Sequence, residues 1–376
     1  MPNNKVIAHY HEIYLNLTET FIYEYISKIK AYNVLFISRQ LMNLEHFPFE
    51  RIYSLSQLNE IGDSINRRLK RLYKREMYFE YLLRRKRARL IHAHFGNNGW
   101  EMLPYKEKIG IPLITTFYGF DMSSLPKDKI WQERYQHLFR EGDLFLVEGS
   151  HMKRKLTELG CPSKKIRIQH IAIDVDQFKY IDRKHVLDEK IRILFCGRFV
   201  EKKGLIYAIK AIEILIKKGV TNIELTVIGD GELRPEIEKY ILENQLKNYV
   251  TMIGIQPLSL FPQFMYNSHI MLQPSLTAKD GNSEGGAPTV LLEAQATGLP
   301  IVSTLHADIP EVVRDGKSGF LVPERDHEAM AEKLIYLIKH PEDRKSMGIQ
   351  GREHIEKNYN IEKEVKKLEQ IYSGMI

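Results

Sequence analysis

Short apolar runs alternate with stretches of helical spacing from Lys5 onward, and near Ile191 the alternation begins again. In the first round "KVIAHY", "YNVLFIS", "RLIHAHFG", "PLITTFYG", "DLFLVEGS" and "KIRIQHIAI" read as strands. In the second, "IRILFCGRF", "IELTVIGDG", "YVTMIGI", "HIMLQPS", "LPIVSTL" and "GKSGFLVPE" do the same. Strands separated by helices imply parallel sheets covered on both faces. A chain of 376 residues also exceeds what one core of about 250–300 residues usually holds. The expected fold class is therefore α/β, with two Rossmann-like doubly wound domains facing a central cleft. The boundaries read as 1–178 for the first domain, 179–190 for a charged linker that includes "HVLDEKIR", and 191–355 for the second. Residues 356–376 read as a C-terminal helix. "SHMKRKLTELG" predicts a helix with Ser150 at its N-cap and Gly160 at its C-cap. Ligands in such sheets sit outside the carboxyl ends of the strands.

With 43% hydrophobic and 27% charged residues the chain is an ordinary soluble globular protein. No apolar run approaches the ~18 residues of a membrane span, and the N-terminal "MPNNKVIAHYHEIY" has no apolar signal region. Cys161 and Cys196 have no metal or redox spacing and read as reduced packing residues.

The charge is local. From Arg67 to Arg89 stand eleven cations, Arg67, Arg68, Lys70, Arg71, Lys74, Arg75, Arg84, Arg85, Lys86, Arg87 and Arg89, against two glutamates. That segment carries +9, more than the +7 of the whole chain. Leu69, Leu72, Tyr73, Met77, Phe79 and Leu83 lie among the cations. The pattern fits a basic amphipathic helix or helix pair on anionic lipid. It fits a solvated helix face equally well. Nucleic acid is a weaker third reading, since no zinc-finger or RRM signature accompanies it.

"EGGAPTVLLEAQATGLP" places Glu284 and Glu293 nine residues apart around a run of small residues. On one continuous helix, nine steps of about 100° would point the two carboxylates in opposite directions. Glu284, Gly285, Gly286 and Ala287 therefore read as loop, Pro288 as the end of the loop, and Thr289 onward as helix. The amides of Thr289, Val290 and Leu291 would point out of a helix start that suits an anion. Glu293, one turn on, could accept two hydrogen bonds from a sugar diol. The layout suits a nucleotide sugar; the plainer reading is a glycine-rich loop of the kind common in α/β proteins.

"CGRFVEKKG" ends a strand at Gly197 and carries Arg198, Lys202 and Lys203. Arg offers phosphate a fork and Lys a point charge. In "VIGDGELR", Gly229 and Gly231 are present, but Arg234 replaces the third glycine of a dinucleotide fingerprint. A tight turn that borders the nucleotide is expected there, not NAD binding. Asp174 and Asp176 read as turn residues. His9/His11 and His92/His94 each could share a strand face, but no third ligand is evident for either pair, so no metal is expected.

Taken together, "ILFCGRFVEKKG", "GDGELR", "EGGAPTVLLEAQATGLPIVST" and "IPEVVRDGKSGFLVP" resemble the family-4 glycosyltransferases of the GT-B fold. With "LTETFIYEYI", "HAHFG" and "TTFYGFD", the resemblance extends over nearly the whole chain. It is closest to the bacterial subgroup that builds exopolysaccharide, capsule or colanic-acid-like repeat units.

The resemblance implies C-terminal helices that pack back toward the first domain. It implies that Arg198 and Lys203 hold a donor diphosphate, that Glu293 holds the ribose and that Glu284 places the donor sugar. Gly285 to Val290 would line the sugar and phosphates with backbone amides. His94, Tyr118 and Asp121 would lie on the acceptor side. A UDP-sugar is favoured as donor, with a retaining, metal-independent mechanism and no cofactor. The partners implied are a lipid-linked saccharide acceptor and the anionic inner face of the cell membrane, with no nucleic acid. The enzyme would be cytoplasmic and peripherally membrane-bound. Two positions depart from the family's pattern. Its glutamates usually stand eight apart, so one loop residue reads as inserted here. Tyr118 stands where many relatives carry histidine. A nucleotide-sugar epimerase or a non-catalytic nucleotide-sugar binder on the same fold is the alternative.

Overall fold

The computed structural model describes residues 5–183 and 190–376. They form two compact units, Met1–Ile171 with Ile361–Ile376, and Ala172–Asn360. Of the expected linker over 179–190, residues 184–189 lie outside the described residues.

The first unit is built on a seven-stranded sheet. Its spatial order is Ile52–Ser54, Asn33–Ser38, Val6–Tyr10, Ala88–His94, Leu113–Thr116, Leu144–Val147 and Ile166–Ile168. Every pairing in it is parallel. Chain order reverses direction between Val6–Tyr10 and Ala88–His94, where His9 pairs in register with His92. The second unit repeats the plan with six parallel strands. Their order is Val250–Gly254, Ile223–Ile228, Ile191–Cys196, Ile270–Gln273, Ile301–Thr304 and Gly319–Val322. Here the reversal falls between Ile191–Cys196 and Ile270–Gln273. Open parallel sheets bind ligands outside the strand ends at such a reversal.

The apolar runs are explained by helices on both faces. Ile193, Phe195, Leu225, Val227, Ile270 and Leu272 are buried against Ile209 and Ile212 of the helix Leu205–Lys217. Each such side chain contributes about 1.5–3 kcal/mol on full burial. In the first unit Ala8, Tyr10, Ile91, Ala93, Phe117, Phe145 and Leu103 do the same. The helix Ile361–Ser373 belongs to the first unit, where it packs on Thr20–Lys28. Glu369 accepts the amides of Lys30 and Ala31 at 2.9 and 2.8 Å, and Gln169 donates to Glu364 at 2.7 Å.

The helix expected at Ser150 runs Ser150–Glu158, with Ser150 its first residue and Gly149 in the cap position. Asp174 accepts the Asp176 amide at 3.1 Å, the turn role expected of that pair. Both cysteines are buried, and burial pushes each thiol up to about 12.

Candidate active site

Two loops meet at the strand reversal of the second unit. The first follows Cys196 and holds Arg198, Lys202 and Lys203; the second follows Gln273 and holds Ser275 and Glu284. Lys203 Nζ lies 2.8 Å from Glu284 Oε1 and donates to Oε2 at 2.9 Å. Ser275 Oγ donates to Oε1 at 2.8 Å. Lys202 Nζ donates to the Ser283 carbonyl at 2.9 Å and to Asn282 at 3.3 Å. The Glu284 side chain is only 7% exposed. Burial pushes its carboxyl up, but Lys203 and Lys202 outweigh that and hold it below the usual range. Arg198 is exposed, with no ion pair among the described residues.

The backbone makes this approach feasible. Gly204 has φ +68°, and a Cβ there would sit 1.9 Å from the Pro274 carbonyl. Gly229 has φ +130°, and its Cβ would meet the Gly197 carbonyl at 2.0 Å. At Gly231 a Cβ would lie 2.7 Å from the Phe199 carbonyl. The geometry thus gives Gly229 and Gly231 a packing role: they let the 229–231 turn close onto the Arg198 loop.

The helix Thr289–Ala296 begins after Pro288, at the position the sequence predicts. The amides of Thr289 and Val290 lie in its first turn, where no intrahelical acceptor exists. The Leu291 amide differs from expectation, because it bonds to the Pro288 carbonyl at 3.0 Å. Gly285 has φ +81°, a left-handed backbone that disfavours an acidic side chain at that position. The carboxylate that reaches the cations belongs to Glu284. Glu293 is half-buried, and its charge raises the pKa of the Cys196 thiol, as burial does more strongly. That places Glu293 near the end of the strand that leads to Arg198.

Two features of this site carried no sequence signal. His306 Nε2 accepts the Glu284 amide at 3.2 Å, while Nδ1 faces Glu324 at 2.6 Å. The carboxylate needs the proton on Nδ1, which leaves Nε2 as the acceptor. Gln273 is fully buried beside Gly197, and both its amide atoms lack a hydrogen-bond partner among the described residues.

The residues expected on the acceptor side lie in the first unit. His94 and Tyr118 are bonded, Nδ1 to hydroxyl, at 2.7 Å. Asp121 is fully buried and serves the backbone. It accepts the amides of Gly96, Tyr118 and Gly119 at 2.8, 3.1 and 2.9 Å. Burial raises it to about 6, against those hydrogen bonds. It fixes the turn that presents Tyr118, and its oxygens are engaged there.

His9 joins His92 and His94 in one cluster, a grouping the spacing alone did not reveal, while His11 accepts the Ile13 amide instead. His94 Nε2 meets His9 Nδ1 at 3.0 Å, and His9 Nε2 meets the Tyr372 hydroxyl at 3.2 Å. That hydroxyl meets His92 Nδ1 at 2.6 Å, and His92 Nε2 meets Thr116 Oγ1 at 2.7 Å. One candidate ligand atom from each of His9, His92 and His94 lies within 4.8 Å of the others. All six ring nitrogens already have partners in the hydrogen-bonded chain. A neutral imidazole offers one donor and one acceptor, so three neutral rings fit that chain. Burial lowers all three pKa values, His92 to about 3.

Comparison with known proteins agrees with this architecture. Residues 44–177 match the family described as Glycosyltransferase Family 4, and residues 177–354 match Glycosyl transferases group 1. WcaL of Escherichia coli, a glycosyltransferase assigned to colanic acid biosynthesis, is 34% identical over 278 residues. That alignment covers 73% of this chain and 68% of WcaL. The amylovoran biosynthesis glycosyltransferase AmsK of Erwinia amylovora is 34% identical over 247 residues, 66% of this chain and 60% of AmsK. The chain thus spans about three fifths to two thirds of these relatives' own length. Anabaena HepE, solved in complex with UDP, superposes with a TM-score of 0.78 over 98% of this chain and all of HepE, at 15% identity. The fold is GT-B, and the chain belongs to the family-4 glycosyltransferases.

Proposed function

We propose that the chain is a retaining glycosyltransferase that moves a sugar from a UDP-sugar to a lipid-linked saccharide during assembly of a cell-surface polysaccharide. The observation that carries this reading is the meeting of Lys203 and Glu284, 2.8 Å apart, at the strand reversal beside Arg198 and ahead of the helix Thr289–Ala296. The relatives named for amylovoran and colanic acid synthesis support the polysaccharide. The UDP in HepE supports uracil as the base.

In this reading Arg198 takes the diphosphate, together with Lys203 and the Thr289 and Val290 amides. An ammonium has three donors, so Lys203 can hold Glu284 and a phosphate oxygen together. Glu284 faces the donor sugar and Glu293 the ribose. The acceptor hydroxyl attacks on the face the diphosphate leaves, and a phosphate oxygen takes its proton. The protein's work is positioning and fixed charge. No metal or cofactor is assigned a role in it. His94 and Tyr118 serve the acceptor side.

The lipid carrier would bring the enzyme to the inner face of the membrane. No helix among the described residues is long and apolar enough to cross it, so contact would be peripheral.

A thermal-shift panel tests the donor. UDP and a UDP-sugar are expected to raise the melting temperature by mass action, with GDP and ADP well behind. Arg198→Ala should lower turnover about 100-fold, the scale of one lost charge-stabilising donor. Glu293→Ala should mainly raise the donor KM. No shift with any nucleotide, or normal kinetics in both variants, would overturn the assignment.

A further inference from the structure

The basic segment folds as two helices, Glu60–Tyr73 and Met77–Arg85. Its cations divide into two sets. Arg67 pairs with Asp63 at 2.9 Å, and Lys70 with Glu76 at 2.6 Å. Arg75 and Arg84 clamp Glu80 at 2.8 and 3.0 Å. Glu76 and Glu80 are buried, so these cations hold the helices in place. Arg85 and Lys86 lie over the rings of Tyr81 and Tyr53. Among the described residues, Arg68, Arg71 and Lys74, and Arg87 and Arg89 beyond the second helix, have neither kind of partner.

Apolar side chains of the first helix point outward beside the first three of these. Ile61 is 72% exposed, Ile65 54% and Leu72 70%. Steps of 100° set the three within about 40° of one another and roughly 120° from Asn66, the residue this helix buries. The ridge is about 16 Å long at 1.5 Å per residue. Arg68 borders it, about 20° from Ile61, and Arg71 lies on its flank, about 80° from Ile61, while Lys74 caps the helix end.

We propose that the helix Glu60–Tyr73 is an interfacial anchor that lies flat on an anionic bilayer. Ile61, Ile65 and Leu72 enter the acyl boundary, and Arg68, Arg71 and Lys74 meet lipid phosphates. A helix with one apolar face and a cationic flank binds this way. Each cation near the surface contributes roughly a fivefold gain in partition. A second copy of the chain fits less well, because joining two ridges would crowd each set of free cations against its counterpart. Nucleic acid would leave the apolar ridge unused. The proposal specifies the membrane contact that the lipid-linked-acceptor reading calls for, and its purpose rests on that reading.

Vesicle flotation of the full chain tests it, with phosphatidylcholine vesicles containing or lacking phosphatidylglycerol. Binding should require the anionic lipid and weaken with salt. Ile65→Ser with Leu72→Ser should cut binding at least tenfold while the melting temperature and its shift by UDP stay unchanged. Leu72→Trp fluorescence should move to the blue on adding anionic vesicles. Equal binding by the double variant, or equal binding to both vesicle types, would overturn the anchor. So would a concentration-dependent dimer in ultracentrifugation that the double variant abolishes, which would make the ridge a self-interface. The UDP shift reports separately on the transferase reading: if it fails while anionic vesicles still bind, transfer falls and the anchor stands.

Discussion

Lys203→Met should lower turnover by about 10²–10³, the cost of removing a fixed charge from the place where a leaving group's charge develops. It should also destabilise the second unit. The Glu284 side chain is 7% exposed, and Lys203 is its strongest stabilising neighbour. Removing one partner of a buried ion pair costs about 3–5 kcal/mol. Lys202 and the Ser275 hydroxyl remain near the carboxylate, so the lower end of that range applies. Glu284→Gln in the same chain removes the unpaired charge. The double variant should therefore regain most of the stability and none of the turnover. Denaturant midpoints and kcat with a UDP-sugar measure both. Recovery of turnover in the double variant would show that Lys203 only balances Glu284 and does not serve the diphosphate.

That pair shows where the sequence stops being informative. The strands are legible because parallel sheets covered on both faces require near-continuous apolar runs, as in "IRILFC" and "IMLQ". The start of the helix at Thr289 is legible because Pro288 marks it locally. The approach of Lys203 to Glu284 is not local. It depends on the strand Ile191–Cys196 lying beside Ile270–Gln273 across two intervening strands in the chain. The histidines fail to stand out for the same reason. His9/His11 and His92/His94 are visible as pairs, but only the His9–His92 register and Tyr372 from the last helix join them.

The Gly229 and Gly231 turn read as a ligand border, yet a missing side chain equally serves one backbone pressed on another. The basic count was similarly incomplete. Glu76 and Glu80 take up four cations at short range, Arg39 joining Lys70 on Glu76. Lys70, Arg75 and Arg84 are thus held on glutamates inside the segment Arg67–Arg89 and Arg67 on Asp63 just before it, so the eleven cations outnumber those free to meet a membrane.

Acid should unfold the first unit well above the usual carboxylate range. His9, His92 and His94 are held neutral by burial, each with a folded pKa below the ordinary value of 6.5. The unfolded chain therefore binds more protons than the folded one below pH 6.5, and stability rises with pH there. The contribution is fully present above about pH 6.5 and is lost as pH falls. His92, with a folded pKa of about 3, alone costs about 2 kcal/mol at pH 5, and His9 and His94 act in the same direction.

Asp121 works in the opposite direction. Its folded pKa of about 6 exceeds the ordinary value, so it gains protons on folding in this window. It returns a little over 1 kcal/mol at pH 5. His11, next to His94 in charge, is also lowered by burial, against the pull of Glu19. Three lowered imidazoles and His11 act against one raised carboxyl, so the net effect of acid is a loss, set against a typical domain stability of only about 5–15 kcal/mol. Urea denaturation between pH 8 and pH 5, followed by tyrosine and tryptophan emission, should show the midpoint collapse below pH 6.5. His92→Gln keeps a neutral donor and acceptor and removes one titrating ring, so its pH slope should be shallower by about one proton. A flat midpoint across this range would mean that the three rings already carry charge in the folded protein, and the hydrogen-bonded chain from Tyr118 to Thr116 could not be neutral.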